Sequence, residues 1–490
     1  MEPVVPLPLD SSTLESLTSS AKDWAILNGV AFLTSAHNDA RDVYSFKRFA
    51  LLPSPVPRFL FDQAKAVQQD FNLLIHKVSQ DREFLTRCLK SVVKVDDFTA
   101  ALFDIYEQVQ GEGVAQPVRL GLYRSDYLLG STNVPAASET SQNTVCTSGK
   151  LQLKQTEINT IAVTGAGFGE KIAGLHKHGL RRLGLTDINK NIPDNSALNQ
   201  NVDGLIAAWE QYGSSKAIIV FVVEDERCGR VFNQRLMEFT IMERNPSITV
   251  TRYNLKQIEE NAELKPDKTL FIHGSEVAVV YFRAGYSPDH YPTRKEWSAR
   301  LKIERSKAIK CPCISYHLAG TKKVQQELAQ PGVLERFLED PRAVGRVRAT
   351  FAGQYTLESG LEGDKTVQMA AMNPQDFIMK PQREGGGNNI FGEDIRVLLN
   401  TLRDSEERSA YVVMDRIHPA VVPNYHIKPG EVPKLLQSSS ELGIFGVFMA
   451  EGDRVILNKQ TGHYMRTKDS SATEEGIDNG VSVMDSPFLV

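Results

Sequence analysis

The chain has 490 residues, which exceeds the usual size of a single domain and predicts two or three packed regions. Its 56 Lys and Arg residues nearly balance its 60 Asp and Glu residues, for a formal net charge of -4. This balance gives no bulk electrostatic basis for binding nucleic acid or an anionic membrane surface. The longest wholly apolar stretch, residues 217–223, is far too short to cross a bilayer.

The five cysteines are scattered, and the tightest pair, Cys311 and Cys313, has one residue between its members. That spacing is too short for the CxxC pattern of zinc and redox sites, so buried or free thiols are expected. The first residues contain no basic segment followed by an apolar one, as a secretory signal would. These features favour a cytoplasmic protein.

The predicted elements begin with helices, because apolar residues recur at helical spacing over residues 1 to about 110. Alternating segments at 117–127 and 151–164 predict strands, and the Ser/Thr/Asn-rich segment 130–149 between them predicts a loop. From residue 216 onward, buried strands alternate with helical segments. This pattern predicts an α/β region, a candidate domain, over residues 215–320.

The last third of the chain predicts a further region at about 340–420, with a strand, a glycine-rich loop, a helix and a second strand. The segments 441–450 and 454–468 again have the composition of strands. No internal repeat is visible. The predicted fold class is therefore α/β with some α+β character.

The most informative motif is the segment KPQREGGGNN, residues 380–389. The three consecutive glycines are Gly385, Gly386 and Gly387. Glycines adopt backbone conformations closed to other residues and let N–H groups approach phosphate oxygens. Lys380 and Arg383 supply positive charge for a polyphosphate, and Glu384, Asn388 and Asn389 supply the hard oxygen atoms that Mg²⁺ prefers. The GxxxxGK[ST] spacing of a P-loop is absent.

A second group of oxygen ligands lies in the segment Glu157-Ile158-Asn159. Alternate residues of a strand face the same side, so Glu157 and Asn159 are expected to project together. They are candidates for half of a magnesium site. An ordinary half-exposed strand face is the alternative, and the residues alone do not decide between the two.

Seven segments occur in an order that resembles the eukaryotic glutathione synthetase family: LGLYRSDY, EINT, YFRAGY, GTKKVQQEL, KPQREGGGNN, ELGIFG and RTK. The resemblance covers roughly residues 20–490. It implies an ATP-grasp-like ligase with a glycine-rich lid, an inserted α/β substrate-binding domain and a homodimeric assembly. Residues 1–214 and 421–490 would form the main domain, residues 215–320 the insertion, and residues 321–420 the ATP-binding and lid region.

The activity that the resemblance implies is the ATP- and Mg²⁺-dependent joining of γ-glutamylcysteine to glycine, or to another amine, through an acyl phosphate. The resemblance assigns catalysis to Arg124, Lys380 and Arg466. It assigns magnesium to Glu157, Asn159 and Glu384. It assigns ATP binding to Glu157, Lys322, Lys380, Gly385, Gly386, Gly387, Asn389, Phe391, Met414, Asp415, Arg416, Ile417, Glu441, Lys468 and Glu474. It assigns substrate binding to Arg124, Ala162, Thr164, Gln234, Arg283, Gly285, Tyr286, Arg466, Ile477 and Asp478.

The sequence departs from the family pattern mainly on the substrate side. Among the residues assigned to ATP binding, Phe391 occupies a position where the family usually has tyrosine, and the change removes only a hydroxyl group. After EINT the family usually has S-x-S-F-x-G, whereas this chain has Ala162, without a hydroxyl, and Thr164, with an added methyl group. Each missing hydrogen bond could cost about 0.5–1.5 kcal/mol of binding free energy.

Two further segments on the substrate side also depart from the family pattern. Residues 226–235 contain extra residues and a shifted basic group, and the loop 475–480 contains Asp478 where small residues are usual. We therefore hypothesise that ATP handling is retained while substrate preference is shifted or weakened. The alternative is a catalytically weak relative that still binds ATP and acts through another substrate or partner.

A competing interpretation comes from residues 165–169, GAGFG, which follow a predicted strand and precede a predicted helix. Together with Asp187, this arrangement suggests a Rossmann-type dinucleotide site of a dehydrogenase. The spacing does not fit fully, because Glu170 occupies the position of the third glycine. A carboxylate at that helix start would oppose a pyrophosphate.

Overall fold

The structure is a computed structural model that describes residues 1–33, 43–131, 151–186, 188, 190–224, 231–473, 476–477 and 480–490. The helices are α1 (Ser11–Leu27), α2 (Arg58–Gln80), α3 (Arg82–Leu89), α4 (Asp97–Glu112), α5 (Ala166–Arg182), α6 (Ala197–Tyr212), α7 (Val231–Arg244), α8 (Leu255–Asn261), α9 (Arg294–Glu304), α10 (Ile314–Ala319), α11 (Lys322–Leu328), α12 (Pro341–Thr350), α13 (Leu361–Met372) and α14 (Glu393–Thr401).

The strands are β1 (Ala31–Leu33), β2 (Tyr44–Phe46), β3 (Phe49–Ala50), β4 (Ser54–Val56), β5 (Val118–Ser131), β6 (Gln152–Asn159), β7 (Ile218–Val222), β8 (Val250–Tyr253), β9 (Ala262–Leu264), β10 (Leu270–Ile272), β11 (Ser275–Phe282), β12 (Ile309–Cys311), β13 (Gln354–Thr356), β14 (Phe377–Pro381), β15 (Ile390–Phe391), β16 (Tyr411–Asp415), β17 (His418–Pro419), β18 (Val421–Ile427), β19 (Lys434–Glu451), β20 (Arg454–Asp469), β21 (Val483–Asp485) and β22 (Pro487–Leu489). The mixed α/β class predicted from the sequence is confirmed.

The central sheet is built on the long antiparallel strands β5, β19 and β20, with β6 beside β5. Its register determines which side chains lie next to one another at the candidate site. Arg124 and Asp126 of β5 face Asn159 and Glu157 of β6 respectively. On the other side of β5, Glu441 of β19 is paired with Leu128. The sheet also closes on itself, since the pairing β19–β18–β3–β21–β20 returns to β19.

The α/β region predicted over residues 215–320 forms a second sheet. Strands β8, β7, β11 and β12 are parallel neighbours in that order, and β10 and β9 extend the sheet beyond β11 as antiparallel strands. Alternate residues of β7 face opposite sides: Val220 belongs to one large core cluster, and Ile219 and Phe221 belong to the other. Both clusters include residues of the central sheet, so this segment shares its core with the rest of the chain.

A third, antiparallel sheet has the order β13–β16–β14–β15. Helices α13 and α14 pack on it through a small apolar cluster that includes Val367, Leu399 and Val413. Strands β14 and β15 are the two arms of a hairpin whose connection carries the glycine-rich loop. The sheet therefore fixes both ends of that loop.

The helical pattern predicted over residues 1 to about 110 is interrupted by the short strands β1 to β4. Two further interpretations of the sequence are corrected by the structure. The strand predicted over 151–164 ends at Asn159, since Ala162 and Gly165 have φ angles of 52° and 99°, which are incompatible with extended backbone. The dinucleotide-binding interpretation is wrong, because β6 is antiparallel to β5 whereas a Rossmann site requires parallel β-α-β units. Asp187, the expected ribose ligand, lies outside the described residues.

The remaining expectations concern cysteines and membranes. Cys88, Cys311 and Cys313 are buried free thiols, as predicted, and Cys146 and Cys228 lie outside the described residues. None of the helices in the described ranges is both long and apolar enough to cross a membrane.

Candidate active site

A cleft of about 710 Å³ lies where the central sheet, the end of β11 and the glycine-rich loop meet. Most of the predicted site residues line it. They are Arg124, Glu157, Asn159, Ala162, Thr164, Arg283, Tyr286, Lys322, Lys380, Glu384, Gly385, Gly386, Gly387, Asn389, Phe391, Arg416, Ile417, Glu441, Arg466, Lys468 and Ile477. Residues far apart in the sequence therefore form one surface.

Four predicted residues are not among the described residues that line the cleft: Gln234, Gly285, Met414 and Asp415. Met414 and Gln234 are buried, and the Gln234 side-chain oxygen accepts a hydrogen bond from Arg252 at 2.7 Å. Gly285, with a φ of 95°, makes a turn next to Tyr286.

Asp415 has a structural role. Its carboxylate accepts from the Tyr355 hydroxyl and from the Gly353 backbone N–H, each at 3.0 Å, and so holds β13 against β16. The last two predicted residues, Glu474 and Asp478, lie outside the described residues.

Asp126 organises the positive charge on the floor of the cleft. The Nε and Nη2 atoms of Arg124 donate to its two carboxylate oxygens at 2.6 and 2.7 Å, and the Asn159 amide donates at 3.0 Å. Arg466 Nη2 lies 3.4 Å from the same carboxylate and also donates to Glu441. Asp126 is fully buried, which is tolerable because a buried charge is stabilised by paired, hydrogen-bonded partners.

The sequence interpretation missed Asp126, although its signal is present in the segment RSDY. Arg124 and Asp126 are two residues apart on a strand, so their side chains share one face and can form a bidentate pair. The Arg124 Nη1 atom makes a further bond, to the Thr164 carbonyl oxygen at 3.0 Å. The segment after β6 that departs from the family pattern thus contacts this guanidinium through its backbone.

A second charged group lies across the cleft floor. The Lys322 ammonium is 2.9 Å from a Glu157 oxygen and 3.3 Å from Glu384. Burial raises the pKa of Glu157, but Lys322 and then Lys380 outweigh this effect and hold it below its ordinary value. Burial raises the pKa of Glu384, and the neighbouring Glu157 adds to this increase against the opposing effect of Lys322.

Lys380 and Thr156 join these two groups. The Lys380 ammonium donates to the Thr156 carbonyl oxygen at 2.8 Å, and the Thr156 hydroxyl donates to Glu441 at 3.0 Å. Thr156 was missed by the sequence interpretation. Lys468, at the end of β20, donates to the carbonyl oxygen of Thr473 at 3.2 Å. Strands β6, β14, β19 and β20 thus each contribute a polar group to the same cleft.

The glycine-rich loop has the backbone that its sequence predicts. Gly385 and Gly387 have φ angles of 88° and 92°, which an L side chain rarely adopts. Arg383 lines the cleft at the start of this loop, and its guanidinium lies 2.5 Å from Asp96, the N-cap residue of α4. It therefore anchors the start of the loop, and its charge is already paired.

Two further features in and beside the cleft were missed from the sequence. Lys47 lines the cleft and is largely buried, with its ammonium 5.2 Å from the centre of the Phe168 ring. A Cβ atom added to Gly165 would come within 2.5 Å of the Tyr464 ring, so this position requires glycine. No local pattern around Lys47 indicates a site, because it follows a short strand far from the motifs.

The residues present fit a magnesium ion bound together with a polyphosphate. Among the described residues, no group of three or more His, Cys, Asp or Glu side chains could hold a metal on its own. Mg²⁺, however, is usually held by one or two carboxylates, water and substrate phosphates. Glu157 and Glu384 converge on one cation already, the Lys322 ammonium, which shows that their carboxylates can share a positive charge.

Comparison with known proteins identifies the family. The family model described as "Eukaryotic glutathione synthase, ATP binding domain" matches residues 11–489. The glutathione synthetases of Xenopus laevis and Homo sapiens are 44% and 43% identical to this chain, each over 98% of both sequences. The chain belongs to the eukaryotic glutathione synthetase family. The resemblance inferred from its motifs is confirmed, and the chain is a glutathione synthetase-like, ATP-dependent ligase.

Two further relatives extend the comparison. The chloroplastic glutathione synthetase of Arabidopsis thaliana is 37% identical, over 98% of this chain and 86% of the relative. The structure of a glutathione synthetase-like effector from Globodera pallida, in its apo form, matches with a TM-score of 0.77 over 99% of this chain and 98% of that chain. At 24% sequence identity, this second match supports the fold alone.

We predict that Asp126→Asn lowers the free energy of unfolding by about 3–5 kcal/mol, because it leaves Arg124 buried without a charged partner. Asp453→Asn is the matched control, since its carboxylate pairs with Lys77 at 2.8 Å but is 81% exposed. Chemical denaturation of both variants measures the difference. Equal, small effects would contradict the role assigned to Asp126.

Proposed function

We propose that this chain joins the C-terminal carboxylate of γ-glutamylcysteine to the amine of glycine, with the conversion of ATP to ADP and phosphate. The observation that carries the proposal is that four of the cationic side chains lining the cleft contact its central carboxylates and strands, and two of the four are guanidinium groups held by buried carboxylates. These four are Arg124, Lys322, Lys380 and Arg466. The family membership of the chain supports the same reaction.

The proposed chemistry has two steps. A carboxylate oxygen of the peptide attacks the γ-phosphorus of ATP, and ADP leaves, which forms an acyl phosphate. The amine then attacks the acyl carbon, phosphate leaves with that oxygen, and the amine loses a proton. Both steps develop negative charge on oxygen, and fixed cations stabilise such charge strongly in a site that excludes water. The planar forks of Arg124 and Arg466 suit carboxylate and phosphate groups.

The ATP side of the site is proposed to lie along the third sheet. The glycine-rich loop would bind phosphate oxygens, with Asn389 and Lys380, while Arg416 and Ile417 would lie along the adenine. Under this proposal the fold is ATP-grasp-like and the loop is a lid that shields the acyl phosphate from water. The domain limits and the homodimer implied by the resemblance also remain proposals; light scattering of the purified protein would test the dimer.

Glu157, Asn159 and Glu384 are the residues proposed to hold magnesium. When bound with ATP, the ion would neutralise part of the phosphate charge. The chain's own contribution is to keep the two carboxylates together on the cleft floor, where Lys322 balances them.

The substrate side supports the hypothesis of an altered preference. Ala162 has no hydroxyl and adopts a φ of 52°, and the Thr164 hydroxyl accepts a hydrogen bond from Asn233 at 3.1 Å. Thr164 is therefore already engaged within the protein. Lys47 adds a buried positive charge to the same side.

Release of ADP from ATP, Mg²⁺ and γ-glutamylcysteine tests the proposed reaction. We expect turnover with glycine, and we would compare β-alanine, serine, glutamate and a reaction without amine. Turnover with another amine and not with glycine would contradict glycine as the acceptor. Saturable ATP binding without any turnover would contradict the ligation and favour the catalytically weak alternative.

We predict that Glu384→Gln raises the Mg²⁺ concentration for half-maximal ADP release by about tenfold or more, because a neutral amide is a weaker ligand for a hard cation. Glu393→Gln is the control on the following helix, where the carboxylate is 61% exposed and pairs with Arg396. Titration of both variants with Mg²⁺, with ADP release as the readout, measures this concentration. An unchanged requirement in Glu384→Gln would exclude this carboxylate as a ligand.

A further inference from the structure

Three side chains of the second sheet meet at the edge of the cleft. Glu224 follows strand β7, Tyr286 follows strand β11, and His290 ends the short 3₁₀ turn Pro288–His290. Because β7 and β11 are parallel neighbours, their carboxyl ends lie at the same edge of the sheet. Neither Glu224 nor His290 belongs to the motifs that identified the family.

The three side chains form a connected hydrogen-bond chain. The Tyr286 hydroxyl donates to Glu224 Oε1 at 3.0 Å, and His290 Nε2 lies 3.1 Å from the same oxygen. His290 Nδ1 accepts from the backbone N–H groups of Gly285 and Ser287 at 3.2 and 3.3 Å. Since Nδ1 is an acceptor, the ring proton of the neutral imidazole is on Nε2, which donates to Glu224.

The backbone of this turn is tightly constrained. Gly285 has a φ of 95°, and a Cβ atom there would come within 2.9 Å of the Tyr291 hydroxyl. Ser287 and His290 form a capping box, in which the side chain of each residue accepts from the backbone N–H of the other. The imidazole is thus held by the turn on one side, and it fixes Glu224 on the other.

This series of hydrogen bonds reaches the cleft. Tyr286 and His290 line it, whereas Glu224 is not among the described lining residues. The two rings pack edge to face with centroids 4.6 Å apart. A Cβ atom at Gly385 would lie 3.8 Å from Tyr286 Cε2, so the phenol ring is next to the glycine-rich loop.

We propose that Glu224 and His290 are positioning residues that hold Tyr286 where the proposed peptide-binding part of the cleft meets the glycine-rich loop. The inference rests on the proposed function, since the substrate positioned by Tyr286 would be the peptide. Removal of the hydrogen bonds should weaken peptide binding without affecting ATP binding. Glu224 and His290 act through Tyr286 and need not touch the substrate.

The test measures KM for γ-glutamylcysteine and for ATP in Glu224→Ala, Tyr286→Phe and the double variant. We expect each single change to raise the peptide KM by roughly fivefold to tenfold, as the loss of one hydrogen bond would, with the ATP KM unchanged. The double variant should be no worse than the more affected single variant, because both changes remove the bond from Tyr286 to Glu224, and His290 reaches Tyr286 only through Glu224. Additive effects would overturn the proposal.

Two substitutions of His290 test the positioning role while the residue still accepts the hydrogen bond of the capping box. Gln and Glu can both accept a hydrogen bond at this capping position, but only the Gln amide can also donate to Glu224. We expect His290→Gln to remain within about twofold of the parent peptide KM and His290→Glu to resemble Glu224→Ala. Equal KM values in these two variants would contradict the proposal even if Glu224→Ala fails to fold.

The control is a similar pair away from the cleft, in which the Tyr212 hydroxyl donates to Glu276 at 2.8 Å. Glu276→Ala should leave the peptide KM unchanged.

Binding of the peptide to the parent protein, measured by calorimetry, separates a failure of the proposed function from a failure of the positioning role. A parent that neither binds nor turns over γ-glutamylcysteine contradicts the proposed function and this inference with it. A working parent with additive effects contradicts this inference alone.

Discussion

The arrangement of the cleft depends on the pairing of buried charges. Asp126 receives the fork of Arg124, the amide of Asn159 and a more distant contact from Arg466. A buried guanidinium without such a partner would be strongly unfavourable, and its side chain would have no fixed direction. The carboxylate therefore does more than stabilise the fold, because it fixes the direction in which the two arginines present their remaining N–H groups.

The register of the long strands creates this pairing. In β5, the period-two alternation places Arg124 and Asp126 on one face, and the antiparallel register places Asn159 and Glu157 opposite them. Arg466 and Glu441 are likewise register partners on β20 and β19. A shift of one residue would move each side chain to the opposite face and separate the charges. The precision of the site thus comes from long, extensively paired strands.

The strands and site residues could be predicted from the sequence where their signal is local. Apolar runs predicted β7 and β11, and the segment 380–389 indicated the glycine-rich loop because its glycines, cation and carboxylate are consecutive. The pairing of Asp126 with Arg124 has a local signal that was overlooked, whereas its contacts with Asn159 and Arg466 cross strands and leave no local signal. Arg383 carries the charge expected for phosphate binding, but Asp96, 287 residues away in the sequence, pairs with it. Ala162 has a left-handed backbone that its residue type does not favour, so the end of β6 was predicted too late.

In the proposed reaction, the peptide carboxylate becomes an acyl phosphate in this cleft. The most direct measurement uses γ-glutamylcysteine labelled with ¹⁸O in its C-terminal carboxylate, with ATP, Mg²⁺ and glycine, followed by mass spectrometry of the phosphate released. We expect each released phosphate to carry one oxygen atom from the peptide. Phosphate without the label, released during peptide-dependent turnover, would show that the carboxylate is not phosphorylated and would exclude the proposed reaction.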